Sequence, residues 1–182
     1  MHARPTQDLR PSFGDMPEEL VERILFYALI PPFSSHSSSR LASLLVCRKF
    51  NRIGTPHLYR SLRIQTARSA SLLARTLTST PELASCVKHI YARASFAALG
   101  DVFRACAGKR LDLLDLTLDA GVDDDDVVLG KQFWECLGDV DVKSLVLRKR
   151  GAYLTQERPK VVMQCLAKAV LRWQNLVRYA AL

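Results

Sequence analysis

An apolar pattern that occurs four times constrains the fold of this chain more than any other feature of its sequence. Each copy has an aliphatic residue, a second one three positions later and another apolar residue two positions after that. The copies are Val87, Ile90, Ala92; Leu111, Leu114, Leu116; Val142, Leu145, Leu147; and Leu176, Tyr179, Ala181. Short runs of this kind predict β-strands, and the segments between them have helical periodicity. The region is therefore expected to alternate strands with helices.

Three of the five cysteines fall at one equivalent point of these repeats. Cys106, Cys136 and Cys165 lie in the helical segment ahead of a strand, and Thr76 holds the corresponding place ahead of Val87. A small side chain at that point lets each helix approach the sheet closely. We interpret these thiols as reduced packing residues.

Repeats about 24 to 34 residues apart, with parallel strands and intervening helices, resemble a leucine-rich-repeat-like α/β solenoid. The resemblance covers residues 63–182. The last predicted strand reaches the end of the sequence, where a solenoid normally has a polar capping repeat. We therefore expect either a naturally short repeat region or one that is incomplete at its C-terminus.

The stretch GDMPEELVERILFYAL has the start signals of a helix. Asp15 and Glu18 have capping-box spacing, and Pro17 suits a first helical turn. Apolar residues then form one predicted stripe: Leu20, Val21, Ile24, Leu25, Ala28 and Leu29. A serine-rich loop at 31–39 follows this helix.

Residues 40–62 form a second helical segment, with apolar side chains on more than one face. Gly54 and Pro56 predict a break, after which one more turn can form. The unit from 15 to 62 has fewer than about 50 residues, a size at which a single core is marginal. We infer that a partner covers part of its apolar surface.

The segments MPEELVERIL and LASLLVCRKFNRIGTPHLYRSL resemble an F-box, particularly the fungal type. The resemblance implies a three-helix module that binds the small acidic adaptor of SCF-type (cullin-RING) ubiquitin ligases and, through the adaptor, a cullin. F-box proteins commonly carry leucine-rich repeats after this module and hold a target protein on the sheet. The adaptor-binding residues implied by the family pattern are Met16, Pro17, Leu20, Ile24, Leu44, Val46, Cys47 and Phe50.

The predicted architecture is mainly α and then α/β. Residues 1–14 form a flexible tail, 15–62 the F-box-like module and 63–182 the repeat region. The tail has no apolar core like that of a signal peptide, and no apolar stretch approaches the roughly 20 residues of a membrane span. We therefore expect an intracellular protein, in the cytoplasm and/or nucleus, that does not bind a membrane.

The positive charge of the chain is concentrated in one region. Of the net charge of +8, residues 23 to 81 contribute nine Lys and Arg and no Asp or Glu. Such a block favours an anionic partner, either nucleic acid or an acidic protein. Arg48, Lys49, Arg52 and Arg60 could neutralise phosphates in a helix-turn-helix arrangement. Apolar residues fill most of that helix and leave few side chains to contact bases, so a protein partner is favoured.

No motif predicts an enzyme, a metal site or a cofactor. The cysteines form no C-x-x-C pair, and the sequence has no P-loop, G-x-S-x-G or H-E-x-x-H motif. Cys47 could be an activated thiol with His57 as its base, but no third orienting group is evident. The acidic run at 123–126 lacks the ligand spacing of a calcium loop, and we expect a solvated loop.

These features predict a non-catalytic substrate-recognition subunit of a ubiquitin ligase, with an unknown target protein. The alternative is a repeat scaffold whose F-box-like module recruits no ligase. Phe50 is expected to anchor the adaptor, with a loss of about 2 kcal/mol of binding in Phe50→Ala. On the sheet, the target-facing residues are expected to be mixed in character: Lys88, Asp112, Thr117 and Lys143.

Overall fold

The structure is a computed structural model. It describes residues 16–29, 37–93, 97–118, 131–149 and 159–181. The predicted flexible tail, most of the serine-rich loop and the acidic run lie outside these residues. The described chain is a mixed α/β protein, with helices first and an α/β region with a parallel sheet after them. Its residues separate into two compact units, Met1–His57 and Leu58–Leu182.

The described part of the first unit consists of helices. They are α1 (Glu18–Leu29), α2 (Ser37–Leu44) and α3 (Arg48–Arg60), and the boundary between the two units falls inside α3. The unit's buried apolar side chains are Val21, Leu25, Leu29, Leu44 and Phe50.

Gly54 marks the closest approach of α3 to the other helices. A Cβ atom at this position would overlap the Leu44 side chain and lie 3.3 Å and 3.4 Å from Leu25 and Leu29. The absence of a side chain therefore allows the three helices to share one small core.

The predicted break at Gly54 and Pro56 is wrong, because α3 continues through both residues. Proline removes one backbone N–H from a helix, but Pro56 is exposed, whereas Gly54 faces the core. Tertiary packing of the buried face outweighs the local helix-breaking preference. The chain instead leaves the helical conformation at residues 45–47, between α2 and α3.

The second unit contains seven described strands. The strands are β1 (Ser61–Ile64), β2 (His89–Ala92), β3 (Arg110–Leu111), β4 (Leu113–Leu118), β5 (Asp141–Val142), β6 (Ser144–Lys149) and β7 (Arg178–Ala181). Five of them form a parallel sheet in the order β1-β2-β4-β6-β7, and β3 pairs with β5 in a separate two-stranded sheet. Within the five-stranded sheet the strands lie in chain order, and β1 and β7 are its edges.

Helices lie between successive strands of the five-stranded sheet. They are α4 (Ala67–Ser79), α5 (Pro81–Cys86), α6 (Ala97–Ala105), α7 (Lys131–Leu137) and α8 (Pro159–Val170). The α4 helix begins with a capping box, in which Thr66 accepts from the Ser69 N–H and the Ser69 hydroxyl accepts from the Thr66 N–H. This capping box marks the start of the helix that follows β1.

The apolar positions of the repeated pattern form the core of the second unit. Leu62, Ile90, Leu114 and Leu145 pair side by side across four neighbouring strands, and all four are buried. Tyr179 continues this row on β7, but 54% of its surface is exposed. The buried row thus covers the strands from β1 to β6, and the β7 position at its end is open.

β1 was not predicted, because its residues were assigned to the end of the first module. Tyr59, Leu62 and Ile64 have the same spacing as the other repeats, with an aromatic residue in the first place. Leu62 and Ile64 are buried, and Tyr59 packs against the same core. Residues 58–62 therefore belong to the second unit, and the domain boundary differs from the expected one at 62.

The repeat cysteines lie in or next to the helices that pack on this core. Cys106 and Cys136 are buried, and Cys165 is half-buried against the same cluster. Burial raises the pKa of the Cys106 thiol to about 11, although the nearby Lys109 acts in the opposite direction. Cys106 therefore stays a neutral thiol at physiological pH, as a packing residue should.

Candidate protein-binding surfaces

Six of the eight predicted adaptor-binding residues have side chains that solvent reaches. Leu20, Ile24 and Val46 are 53%, 46% and 64% exposed. Pro17 and Cys47 are also exposed, and Met16 is half-buried.

The remaining two predicted residues, Leu44 and Phe50, are buried at 6% and 7% exposure. Leu44 lies beside Gly54 in the small core that the three helices share. These two side chains pack inside the protein, so they are not available as direct contacts.

The apolar residues of α1 form two stripes, whereas the sequence predicted one. Val21, Leu25 and Leu29 are buried. Leu20, Ile24 and Tyr27 follow each other at i, i+4 and i+7 and are all about half exposed or more. One side of the helix stabilises the unit, and the adjacent side presents apolar surface to solvent.

Polar contacts fix the start of α3 against the start of α1. Lys49 Nζ donates a hydrogen bond to the backbone oxygen of Met16 at 2.7 Å, and Arg52 forms an ion pair with Glu18. These contacts bring Met16 and the first turn of α1 to the end of α3 that follows residues 45–47. The exposed Val46 and Cys47 are therefore positioned near the beginning of the α1 stripe.

His57 contacts α1 at the other end of α3. Its Nε2 atom lies 3.3 Å from Glu22 Oε1, and its ring meets that of Phe26 edge-on at 5.8 Å. Cys47 lies ten positions earlier, immediately before α3, which corresponds to about 15 Å along a helix. His57 cannot act as the base of this thiol, so the Cys–His interpretation is excluded.

Three exposed apolar residues of this unit were missed by sequence reasoning. Leu45, Tyr27 and Leu41 are 80%, 63% and 49% exposed. Tyr27 could have been found from its seven-residue spacing to Leu20. No comparable signal identifies Leu45, because its exposure depends on the point at which α2 ends.

The sheet of the second unit has a polar and partly exposed face opposite its core. Arg63, Tyr91, Asp115, Val146 and Ala180 pair side by side across the five strands and alternate with the buried positions. We call this face the open face of the sheet. Its side chains are exposed or half-buried.

Two side-chain pairs organise the open face. The Arg148 guanidinium donates to both carboxylate oxygens of Asp115, with its Nε and Nη2 atoms 2.9 Å and 3.0 Å from Oδ1 and Oδ2. This partner raises the pKa of Arg148, chiefly through the hydrogen bonds. The guanidinium of Arg63 lies 5.7 Å from the centre of the Tyr91 ring, within cation–π distance.

Of the four residues expected to face a target, only Thr117 lies on the open face, where it pairs with Arg148. Lys88, Asp112 and Lys143 lie just before strands of the main sheet instead. There the Lys88 carbonyl accepts from the Asp112 N–H at 2.8 Å. These residues shape the backbone at the entry to the sheet.

His89 is a half-buried residue at the start of β2, opposite Leu113 on β4. Burial lowers its pKa, and the charge of Arg60 acts in the same direction, whereas Asp112 opposes the shift. The imidazole is therefore held neutral at physiological pH.

Among the described residues, no three His, Cys, Asp or Glu side chains lie together in a way that could hold a metal ion. Within the same ranges, no helix has the length and apolarity needed to cross a bilayer. Comparisons with models of protein families, with curated proteins and with solved structures found no match. The chemistry of the two surfaces is therefore the basis for inferring function.

Proposed function

We propose that this chain is a non-catalytic substrate-recognition subunit of an SCF-type (cullin-RING) ubiquitin ligase. In this proposal the α1–α3 unit is an F-box-like module that binds the ligase's acidic adaptor. The second unit is a leucine-rich-repeat-like solenoid that presents a target protein. One observation carries the proposal: the small helical unit with the F-box-like sequence exposes large apolar side chains along α1 and at the α2–α3 turn.

The amount of exposed apolar surface favours a protein partner for the first unit. Leu20, Ile24, Leu45 and Val46 are each between 46% and 80% exposed, although the unit contains few buried apolar residues. Single exposed apolar residues are normal, but a group of them on a small unit is typical of a protein-binding site. Removing such side chains from water contributes about 25 cal/mol per Å² of apolar area.

The charge around this surface favours an acidic partner. Arg48 is exposed and follows Cys47 directly, and Arg23 is exposed on α1. Positive side chains around an apolar contact speed association with an acidic protein and contribute less to the final affinity. Lys49 and Arg52 already bind Met16 and Glu18, which leaves fewer cations available for nucleic-acid phosphates.

Leu44 and Phe50 have a different role in this proposal from the other six residues. Because both are buried, they stabilise the helix arrangement that presents the exposed residues. Phe50→Ala should still weaken adaptor binding, but through loss of the folded unit. The contacts themselves come from Met16, Pro17, Leu20, Ile24, Val46 and Cys47.

The substitution Leu20→Asp tests the docking surface with little risk to folding. Leu20 lies in the first turn of α1, where the helix dipole favours a carboxylate, and its side chain is half exposed. An aspartate there replaces an apolar contact with a charge that an acidic adaptor repels. We expect at least about tenfold weaker binding to a purified SCF adaptor by calorimetry, or about 1.4 kcal/mol.

Leu72→Asp is the matched control, because Leu72 is 48% exposed on α4 of the second unit. It should bind the adaptor like the wild-type chain, and circular dichroism should show both variants folded. Equal binding by wild type and Leu20→Asp would disprove the site. No binding of the wild-type chain to any adaptor, and no co-purification with a cullin, would favour the scaffold alternative.

A further inference from the structure

The open face of the sheet has a charge distribution that identifies a class of target. Its strands carry three arginines, Arg63 on β1, Arg148 on β6 and Arg178 on β7, and one described carboxylate, Asp115 on β4. The carboxylate is only 14% exposed, because Arg148 covers it with a two-pronged contact. The pair neutralises itself at the centre of the face.

The two other arginines are available to a ligand. Arg63 and Arg178 are exposed, and neither takes part in the ion pairs formed among the described residues. They lie on the two edge strands of the five-stranded sheet. Four strand spacings of about 4.8 Å, together with a small offset along the strands, place their backbones about 20 Å apart.

The surface between these two arginines is mostly uncharged. Tyr91, Leu113 and Val146 are half-buried side chains on the inner strands of the open face. The Tyr91 ring already lies against the Arg63 guanidinium, so an aromatic or aliphatic ligand side chain can extend this contact. The face is thus positive at both edges, and between them Tyr91, Leu113 and Val146 offer apolar surface beside the neutralised Asp115–Arg148 pair.

We propose that the open face binds an extended protein segment with an apolar centre and acidic residues at both ends. An extended chain advances about 3.3 Å per residue, so about six residues join the two edges. The inference rests on the proposed function in taking the ligand to be part of a target protein. The positive charges of Arg63 and Arg178 favour acidic residues at the two ends of this segment.

A nucleic acid fits this face less well than an acidic peptide. Nucleic-acid binding draws most of its affinity from many regularly spaced phosphate contacts. Here the two arginines that form no ion pair with described residues lie about 20 Å apart, and the third is neutralised by Asp115. An oligonucleotide is therefore the competing ligand that the experiment must exclude.

The test uses the full chain and a fluorescein-labelled peptide of about eight residues, with two glutamates at each end and apolar residues between them. Fluorescence anisotropy at low salt should show binding, and Arg63→Glu and Arg178→Glu should each weaken it about tenfold. Arg75→Glu, which makes the same charge change at an exposed position on α4, should have no effect. A peptide with lysines in place of the glutamates should not bind.

Three results would overturn the inference. The first is no binding of the glutamate-ended peptide, and the second is that Arg75→Glu weakens peptide binding as much as the sheet variants do. The third is that a single-stranded oligonucleotide binds more tightly than the peptide and that Arg63→Glu and Arg178→Glu abolish its binding. Measuring adaptor binding alongside peptide binding distinguishes a failure of this inference from a failure of the proposed function. If the peptide binds and the adaptor does not, only the ligase assignment fails, and the reverse result removes only the acidic-segment assignment.

Discussion

The two units of this protein differ in how completely they bury their apolar side chains. The first unit buries Val21, Leu25, Leu29, Leu44 and Phe50, but leaves Leu20, Ile24, Tyr27, Leu41, Leu45 and Val46 exposed. The second unit has one continuous core that extends from β1 through the helices to Trp173. Its exposed large apolar residues are Leu72, Leu171, Val177 and Tyr179.

This difference follows from how the helices and strands of each unit pack. In the second unit the five strands of the main sheet pair in chain order, so the buried apolar positions of each of the strands β1 to β6 in this sheet lie beside those of its neighbour. In the described part of the first unit, three helices pack around the Gly54 contact. Its described helices leave apolar side chains exposed, and the proposed adaptor would cover them.

The largest expected effect is on the second unit. Phe103 is fully buried and lies 5.8 Å from the Phe133 ring, so Phe103→Ala should lower the free energy of unfolding by about 4 kcal/mol. Urea unfolding followed by tryptophan fluorescence measures this unit alone, because Trp134 and Trp173 both follow Leu58. Leu72→Ala should change the free energy of unfolding by less than about 0.5 kcal/mol. Similar losses in both variants would show that the core is not where the structure places it.

The next effect should be confined to the first unit. Phe50→Ala removes the largest buried side chain of its small core and should cost about 3 kcal/mol. Hydrogen exchange should rise throughout α1–α3, while the tryptophan transition stays at the wild-type denaturant concentration. A matching shift in the tryptophan transition would mean that the two units unfold together, so that their stabilities are not separate.

A smaller effect is expected on the open face. Asp115→Asn removes the two-pronged contact with Arg148, whose guanidinium is half exposed, and should cost about 1 kcal/mol. The tryptophan transition measures it, and added salt should reduce the difference between variant and wild type. A variant as stable as wild type would show that the pair orders the surface without stabilising the unit.

The smallest effect is a pH dependence of the second unit. Because burial lowers the pKa of His89 in the folded state, the unfolded chain binds its proton at a higher pH than the folded chain does. Neutral His89 therefore makes its full contribution to the free energy of unfolding of the second unit above about pH 6.5. That contribution is lost as the pH falls below this value. In His89→Gln the free energy of unfolding, measured by tryptophan fluorescence, should depend less on pH between about pH 5 and 7 than in wild type. His57→Gln should show the same pH dependence as wild type, because His57 belongs to the first unit. An unchanged slope in His89→Gln would assign the dependence to other groups.

Local patterns in the sequence predicted the second unit well. In the first three copies of the pattern the predicted positions are buried, Leu111, Leu114 and Leu116 among them, whereas in the fourth copy Tyr179 and Ala181 are exposed. The first strand was missed, since Tyr59 replaces an aliphatic residue and the segment also fitted the end of the helical module. Strands were identified correctly where the same apolar spacing occurs in neighbouring repeats, and β1 was missed where the first residue differs in type.

The first unit was harder to predict, because its apolar residues serve two purposes. Spacing alone placed Leu20 and Val21 on one stripe, but whether each is buried depends on where α3 packs. The choice of Phe50 as a contact residue had the same weakness. Helix periodicity identifies apolar faces, and only the tertiary packing distinguishes the face that is buried from the face that remains exposed.

Hydrogen–deuterium exchange of the full chain, with and without a purified SCF adaptor, shows whether the exposed apolar surface of α1–α3 binds the adaptor. The account predicts that the adaptor slows exchange in the first half of α1 and at residues 45–50, while the sheet of the second unit exchanges as before. Unchanged exchange in α1–α3 at saturating adaptor, or protection restricted to the sheet, would contradict it.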